Sequence, residues 1–187
     1  MYWMMECFRD AWTGGRGIES WPDIPGIDSW LTGSRFASAP PGAIVLYWDP
    51  EDEEGPPQPL YKAGVPMMTK RVHEALVQAG VDNLDVYPVE VRSHQSTEIN
   101  QDYVAFNVIG VIRAADMSKS VYDPSVEPHL IAVGFNGVTI DESRTGGALL
   151  FRLAENVGAI VIHDRVKRHL EGLSLGLTFV PPEKWVG

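Results

Sequence analysis

Cysteine is nearly absent from this sequence, since Cys7 is the only one among 187 residues. A single cysteine excludes an intrachain disulfide and a zinc site built from cysteines. Long apolar runs are also missing, because no stretch approaches the roughly 20 residues that a membrane-spanning helix needs. The first ten residues include Glu6, Arg9 and Asp10, where a signal peptide would have an apolar core. We therefore expect a cytoplasmic protein with no membrane partner.

Positive charge is scarce as well. The chain has 15 Lys and Arg residues against 25 Asp and Glu residues, which gives a formal net charge of −10. A nucleic-acid-binding protein needs clustered Lys and Arg side chains to neutralise phosphates, so this balance argues against a nucleic-acid partner. An acidic surface suits a basic protein partner, and it also favours solubility.

The titratable residues form no recognised metal or cofactor motif. The five histidines contain no H-E-x-x-H pattern, and His163 and His169 are six residues apart, which places them on different sides of a helix. The glycine-rich runs 13–17 and 144–147 match neither a Walker nor a dinucleotide-binding pattern, so loop glycine is their favoured explanation. We predict no bound metal and no cofactor.

One motif favours an enzyme. Residues 172–176, with the sequence GLSLG, match the G-x-S-x-G pattern of serine hydrolases. In those enzymes the serine lies on a sharp turn from a strand into a helix, whose N-terminus helps to form the oxyanion hole. Here a predicted helix precedes Ser174 and a predicted strand follows it, so the order is reversed. A small serine hydrolase or ligand-binding enzyme using this motif is the alternative to a non-enzymatic binding protein.

Residues 66–91 contain the clearest structural pattern, an amphipathic helix that runs into a strand. Apolar residues at i, i+4, i+7, i+8 and i+11 line one helical face, namely Met68, Val72, Ala75, Leu76 and Ala79. Gly80 then supplies the left-handed position that ends the helix. Residues 163–183 repeat the pattern, with Asp164 as the N-cap and Gly172 in the place of Gly80. We predict two equivalent units packed against one sheet. The helical residues buried in them are then Val72, Leu76, Val166 and Leu170.

Short apolar runs predict about eight strands. Residues 43–48, AIVLYW, are one, and residues 103–112, YVAFNVIGVI, predict a strand at the sheet centre that is covered on both faces. Residues 134–137 predict a hairpin turn. The fold class is therefore α+β, with a mixed, largely antiparallel sheet and two short amphipathic helices. We expect a single domain over residues 1–187, with residues 1–42 as an irregular N-terminal extension packed on it.

Residues 49–59, DPEDEEGPPQP, form an acidic and proline-rich segment that is typical of a solvated loop. Its five acidic residues carry half of the net charge of −10. A run of charged residues is usually just a solvent-exposed surface segment. The loop is nevertheless also a candidate for an electrostatic partner-binding face. The candidate residues are Asp49, Glu51, Asp52, Glu53 and Glu54.

Tryptophans recur in the N-terminal extension, at a spacing of nine residues that neither a helix nor a strand would align. Large aromatic side chains in irregular chain usually pin it onto a core. Alternatively, one or two of them stay exposed as anchors for a partner, a role that tryptophan often fills. The partner-binding candidates are Trp12, Trp21 and Trp30.

Several of these segments together resemble a known family. They are PMMTKRVHEALVQAGVDNLDVYPVE, YVAFNVIGVIRAAD, LLFRLAEN and IVIHDRVKRHL. Between residues 40 and 183 they are similar to the bacterial polymorphic-toxin immunity proteins of immunity protein family 11. The resemblance implies a cytoplasmic, non-enzymatic protein that binds and neutralises a cognate toxin, which is encoded beside it and delivered by a kin or rival cell. It implies no particular contact residues.

Overall fold

The computed structural model describes residues 1–7, 15–19, 22–51, 55–123 and 131–187, and eleven strands and two α-helices form within them. The strands are β1 (Tyr2–Glu6), β2 (Ile44–Tyr47), β3 (Leu60–Tyr61), β4 (Met67–Thr69), β5 (Leu84–Arg92), β6 (Ile99–Asn100), β7 (Tyr103–Val108), β8 (Val111–Ile112), β9 (Leu150–Leu153), β10 (Asn156–His163) and β11 (Thr178–Val180). The helices are α1 (Lys70–Gln78) and α2 (Asp164–Glu171). The predicted α+β class is confirmed.

The strands are divided between two sheets. A five-stranded sheet has the order β11-β1-β10-β9-β8, and a six-stranded sheet has the order β2-β5-β7-β4-β3 with β6 beside β5. Only β2/β5 and β8/β9 are parallel pairs among the described strands, so the predicted mixed, largely antiparallel pairing is confirmed. The expectation that both helix-into-strand units use one sheet was wrong, because apolar periodicity identifies a strand but not its neighbours.

The two helices nevertheless lie in equivalent units. In the six-stranded sheet, the hairpin β3–β4 leads through α1 to β5, and β7 pairs between β5 and β4. In the five-stranded sheet, the hairpin β9–β10 leads through α2 to β11, and β1 pairs between β11 and β10. The strand directions correspond, since β7 and β1 are each antiparallel to both neighbours. The units differ in the origin of this inserted strand, which follows the first unit directly but comes from the N-terminus in the second.

Helix α1 begins after an N-cap residue, Thr69, and ends before a glycine, Gly80. The Thr69 hydroxyl accepts a hydrogen bond from the Val72 amide at 3.3 Å, which satisfies one of the free N–H groups of the first turn. Gly80 has a φ of +95°, so it supplies the left-handed position predicted for the end of the helix. Met68, which was predicted to start the apolar helical face, is instead a buried residue of β4.

Helix α2 is capped by His163 and not by the predicted Asp164. The His163 ring accepts a hydrogen bond from the Arg165 amide at 3.2 Å. Asp164 is the first helical residue, where its carboxylate pairs with Arg168 one turn later and offsets the positive end of the helix. The aspartate therefore stabilises the same helix terminus from the next position along the chain.

Apolar side chains form three clusters that alternate with the sheets. The central cluster contains the buried faces of both helices and the inner-face residues of both sheets. A second cluster covers the other face of the five-stranded sheet, and a third covers the other face of the six-stranded sheet beneath residues 24–36. The helical residues predicted to be buried are all in the central cluster, namely Val72, Leu76, Val166 and Leu170. Both helices therefore pack as the sequence repeat predicted.

The strand predicted at the sheet centre is present but shorter. β7 is the middle strand of the six-stranded sheet, and all six of its residues are buried. It ends at Val108 because the chain turns at Gly110, which has a φ of +126°, and enters the five-stranded sheet as β8. Residues 103–112 were predicted to form one strand. They form two, β7 in the six-stranded sheet and β8 in the five-stranded sheet.

The hairpin predicted at residues 134–137 does not form in the described part of the chain. The Phe135 amide donates to the Gly187 carbonyl at 2.5 Å, and the Gly137 amide donates to the Trp185 carbonyl at 2.8 Å. The chain before the turn pairs with the β9–β10 connection, where the Val133 amide donates to the Glu155 carbonyl at 2.8 Å. The chain after the turn pairs with the C-terminal segment, where the Val138 amide donates to the Pro182 carbonyl at 2.9 Å, so the two flanks do not pair with each other. The prediction was wrong because glycine and asparagine favour a turn without specifying the pairing of the chain on either side.

A buried ion pair at Glu6 connects the two sheets. Glu6 is the last residue of β1 and is 6% exposed, and its Oε2 lies 2.5 Å from Nζ of Lys62, just after β3. Its Oε1 accepts a hydrogen bond from Nε1 of Trp185 at 2.8 Å. The carboxylate therefore joins the five-stranded sheet, the six-stranded sheet and the C-terminal segment. β1, at the start of the predicted N-terminal extension of residues 1–42, is thus a strand with a structural role.

Candidate functional site

The predicted acidic segment connects β2 with β3, and we call residues 49–56 the acidic loop. Asp49 is partly buried, and its carboxylate accepts a hydrogen bond from the Glu51 amide at 3.0 Å. Glu51 is exposed. The other three acidic candidates, Asp52, Glu53 and Glu54, lie outside the described residues. The start of the loop is therefore a turn closed by the side chain of its first acidic residue.

Residues 15–19 run along the base of the acidic loop and hold its outgoing end. The Asp49 amide donates a hydrogen bond to the Gly17 carbonyl at 3.0 Å, and Ile18 forms an antiparallel bridge with Trp48. The chain leaving β2 is thereby paired with a second segment up to the first residue of the loop. This pairing limits the directions in which the loop can leave the sheet.

Arg16, in the same segment, holds the returning end of the loop. Its amide donates to the Pro56 carbonyl at 3.1 Å, and its side-chain Nε donates to the Gly55 carbonyl at 2.9 Å. Its own carbonyl accepts a hydrogen bond from the Tyr61 hydroxyl at 2.9 Å. Both ends of the acidic loop are therefore attached to one short segment, which fixes the distance between them.

An aromatic platform lies beneath the returning end of the loop. The rings of Trp48, Tyr61 and Tyr103 have centroids between 5.9 and 6.5 Å apart. The Arg16 guanidinium lies 5.4 Å from the centre of the Trp48 ring, which is within cation–π distance. The Tyr103 hydroxyl donates to the Gln58 carbonyl at 2.7 Å, and burial raises the pKa of Tyr103, so the donor keeps its proton. The loop is therefore anchored on a rigid support.

Of the three candidate tryptophans, Trp30 is the one that lies within the described residues. Trp30 is 7% exposed and packs edge-to-face against Phe36 and Tyr87, with centroid distances of 4.9 and 5.9 Å. It pins residues 24–36 onto the six-stranded sheet and offers little surface to a partner. Trp12 and Trp21 lie outside the described residues. For Trp30, packing is therefore the role that its surroundings support.

Ser174, the candidate nucleophile, lies between α2 and β11, in the reversed order predicted from the sequence. Its φ is +50°, an unusual conformation for a residue with a side chain, whereas Gly172 keeps a helical φ of −67°. Ser174 lines an open cleft of about 620 Å³ together with Lys70, Arg71 and other polar residues. No histidine is among the described residues that line this cleft. Ser174 therefore has no neighbouring histidine, among the described residues of the cleft, that could form the Ser–His pair of a serine hydrolase.

We predict that Ser174 is chemically inert. A fluorophosphonate probe is expected to leave it unlabelled, because a serine without an adjacent base stays a weak nucleophile. Intact-protein mass spectrometry measures the labelling, with an active serine hydrolase as the positive control and the Ser174→Ala variant as the matched negative control. Stoichiometric labelling that disappears in the variant would restore the hydrolase alternative.

Two further observations concern metals and membranes. Across residues 1–7, 15–19, 22–51, 55–123 and 131–187, no three His, Cys, Asp or Glu side chains are grouped so that they could hold a metal ion. Neither of the α-helices described above is long and apolar enough to span a membrane.

Arg16 was not among the residues predicted to form a site. Its signal was the glycine run at residues 13–17, which was explained as loop glycine. The structure gives Gly15 a more specific role, since a Cβ atom there would lie 2.1 Å from Nε2 of Gln58. The backbone beside Arg16 therefore lies against the Gln58 side chain, and a residue larger than glycine at position 15 would displace that side chain.

Comparison with protein-family models matches residues 8–181 to a model described as "Immunity protein family (Imm11)". The match covers nearly the whole chain, and it extends the resemblance found between residues 40 and 183 towards the N-terminus. A search of curated proteins found no match.

Proposed function

Because this chain belongs to the Imm11 immunity protein family, which gives it an immunity role in a toxin/immunity pair, we propose that it neutralises a cognate toxin by binding it. The proposed mechanism is non-covalent protein–protein contact, without catalysis and without a cofactor. The partner is a toxin protein encoded nearby, and the encounter takes place in the cytoplasm. The membership in this family is the observation that carries the proposal.

We further propose that the toxin presents a basic surface to this protein. The net charge of −10 and the low content of Lys and Arg support a basic partner. A toxin that acts on nucleic acid would carry such a surface, because phosphate binding needs clustered positive charge. The immunity protein would then compete with the toxin's own substrate for the same positive side chains.

The proposed first point of contact is the acidic loop. Its five carboxylates are concentrated within residues 49–54, and its ends are attached to residues 15–19 and to the aromatic platform. A loop held at both ends has less conformational entropy to lose on binding. Complementary charge raises the association rate more than it raises the final affinity. The loop is therefore suited to capturing a basic toxin quickly.

Binding is tested by mixing the purified protein with the purified product of the adjacent gene. The expected result is a stable complex in size-exclusion chromatography and loss of the toxin's activity in proportion to the complex formed. A toxin that loses activity at substoichiometric amounts of this protein would contradict the proposal, since that result requires turnover. Absence of a complex and of inhibition would also overturn it.

Neutralising the five acidic residues of the loop is expected to lower the association rate by about tenfold or more at low salt. The variant carries Asn or Gln at Asp49, Glu51, Asp52, Glu53 and Glu54. The effect is expected to shrink at physiological salt, where the screening length is about 8 Å. Stopped-flow association at several salt concentrations measures it.

The matched control removes the same amount of charge from exposed positions elsewhere on the protein. These positions are Asp82, Glu98, Glu142, Glu171 and Glu183. Its association rate is expected to fall much less, because dispersed charge does not focus the field on one surface. Equal association rates for the loop variant and the control variant would mean that the rate depends only on the net charge of the protein and not on the position of the charges. An unchanged rate in the loop variant would move the proposed interface to the region of Trp12 and Trp21.

A further inference from the structure

A small pocket of about 220 Å³ opens over the third cluster, between residues 22–30 and residues 64–65. A tight turn at residues 24–27 forms part of its wall. The Ile27 amide donates a hydrogen bond to the Ile24 carbonyl at 3.0 Å, and Gly26 has the φ of +84° that the third position of a type II turn requires after proline. Ile24 and Ile27 are each 8% exposed, so the turn is anchored in the core.

Two aspartates flank this turn, and both line the pocket. Asp23 precedes the turn, Asp28 follows it, and both side chains are exposed. Within the described part of the chain, neither carboxylate forms a hydrogen bond or an ion pair. No Lys or Arg is among the described residues that line the pocket, and the nearby Lys62 is already paired with Glu6. Two uncompensated negative charges therefore meet at one pocket, where they favour a cation.

Trp30 provides an independent observation at the same pocket. Most of its ring is packed, since it is 7% exposed, but it lines the pocket together with the two aspartates. Its indole N–H has no hydrogen-bond acceptor among the described residues, whereas the N–H of a buried tryptophan usually has one. A ligand in the pocket can supply the missing acceptor.

Building on the proposed function, we infer that this pocket binds an arginine side chain of the cognate toxin, with Asp23 and Asp28 as its carboxylate partners. A guanidinium presents five donors in a planar fork, so it can bond to two carboxylates at once and lie against an aromatic ring. A lysine ammonium is compact and strongly hydrated, which suits an aromatic-lined pocket less well. A main-chain carbonyl of the same toxin segment accepts the hydrogen bond from Trp30.

The charge of the toxin and the packing of the pocket both favour this occupant. A basic toxin surface supplies arginine, which is enriched in protein interfaces. The pocket is held by the third cluster, which also contains Trp48 of the aromatic platform, so the same core supports both the pocket and the acidic loop. The pocket therefore adds a fixed contact to the fast electrostatic encounter proposed for the loop.

A titration of the unbound protein tests the pocket without the toxin. The probe is N-acetyl-arginine amide, and the readouts are the NMR signals of the Trp30 indole N–H, assigned from Trp30→Phe, and of the amides of residues 24–28. A saturable shift is expected. N-acetyl-citrulline amide, which has the same shape without the charge, is expected to cause no such shift, and N-acetyl-lysine amide is expected to bind several-fold more weakly. No saturable shift with the arginine probe, or equal shifts with citrulline, would overturn the inference.

The pocket variant carries Asp23→Asn and Asp28→Asn, and its matched control carries Asp82→Asn and Glu98→Gln, which remove the same charge from exposed positions outside the pocket. The pocket variant is expected to bind the arginine probe at least about fivefold more weakly, because both carboxylate partners are gone. With the toxin, its dissociation rate is expected to rise by about tenfold or more, while that of the control stays the same. Equal dissociation rates for the pocket variant and the unmodified protein would overturn the inference.

Double-mutant cycles identify the occupant. Each exposed arginine of the toxin is replaced by alanine and by lysine, and each replacement is combined with the pocket variant. One arginine is expected to couple to the two aspartates by about fivefold or more in affinity, and its replacement by lysine is expected to lose most of that coupling. Coupling to a lysine of the toxin, or to no cation, would overturn the inference. The proposed function fails separately, if the unmodified protein neither binds nor inhibits the toxin.

Discussion

Replacing Leu76 by alanine is expected to lower the free energy of unfolding by about 2–5 kcal/mol, the range for truncating a buried leucine. Leu76 is 0% exposed and lies in the central cluster, where α1 contacts both α2 and the sheets. Removing its side chain leaves a cavity that neither the helices nor the strands can readily fill. Urea denaturation measures the loss, with an unchanged m value indicating that the unfolded state is the same.

The adjacent residue provides a matched control. Val77 lies on the same helix but is 52% exposed, so Val77→Ala is expected to change the stability by no more than about 0.5 kcal/mol. Leu170→Ala should resemble Leu76→Ala, because Leu170 occupies the corresponding place in the second unit and is 1% exposed. A Leu76→Ala protein as stable as Val77→Ala would contradict the role of Leu76 in the core, and very different losses for Leu76→Ala and Leu170→Ala would contradict the equivalence of the two units.

Replacing Glu6 by leucine is expected to cost about 3 kcal/mol of stability. This value is near the lower end of the range for breaking a buried ion pair, because 24% of the Lys62 side chain reaches solvent. The substitution leaves the Lys62 ammonium and the Trp185 N–H without the carboxylate that now accepts from both. Thermal and urea denaturation of the variant measure the loss.

Two comparisons identify the cause of that loss. Adding Lys62→Met to Glu6→Leu is expected to recover part of the stability, because no unpaired charge is then left in the site. Glu171→Gln breaks the pair with Lys167, 2.7 Å apart on α2, in which the Glu171 side chain is 48% exposed, and should cost less than about 1 kcal/mol. If Glu6→Leu lowers the free energy of unfolding no more than Glu171→Gln does, the ion pair between the sheets contributes little to the stability of the protein.

Local sequence patterns predicted the parts of the fold that depend on neighbours along the chain. The apolar face of α1, its end at Gly80 and the buried strand β7 each follow from a period or a residue type within a short window. The division into two sheets could not be predicted in this way. It depends on pairings such as Met4 with Val161, which are remote in sequence and leave no periodic signal.

The candidate site was predictable in composition but not in architecture. The concentration of acidic residues and prolines identified the acidic loop, since such a segment cannot enter a core. The role of Arg16 was not predictable, because it depends on hydrogen bonds to main-chain oxygens of residues 55 and 56. Main-chain acceptors are the same at every residue and leave no mark in the sequence. The burial of Trp30 likewise depends on its contact with Tyr87, which comes from a distant part of the chain.

The position of β1 has a consequence for the order in which the protein can assemble during its synthesis. β1 precedes its two partners, β10 and β11, by most of the other strands, so the five-stranded sheet cannot close until β11 has been synthesised. The unit from β3 to β7 is continuous in sequence and can form earlier. Until then, β1 lacks both of the strands that it pairs with. A nascent chain cut short before β11 would therefore lack a completed second unit.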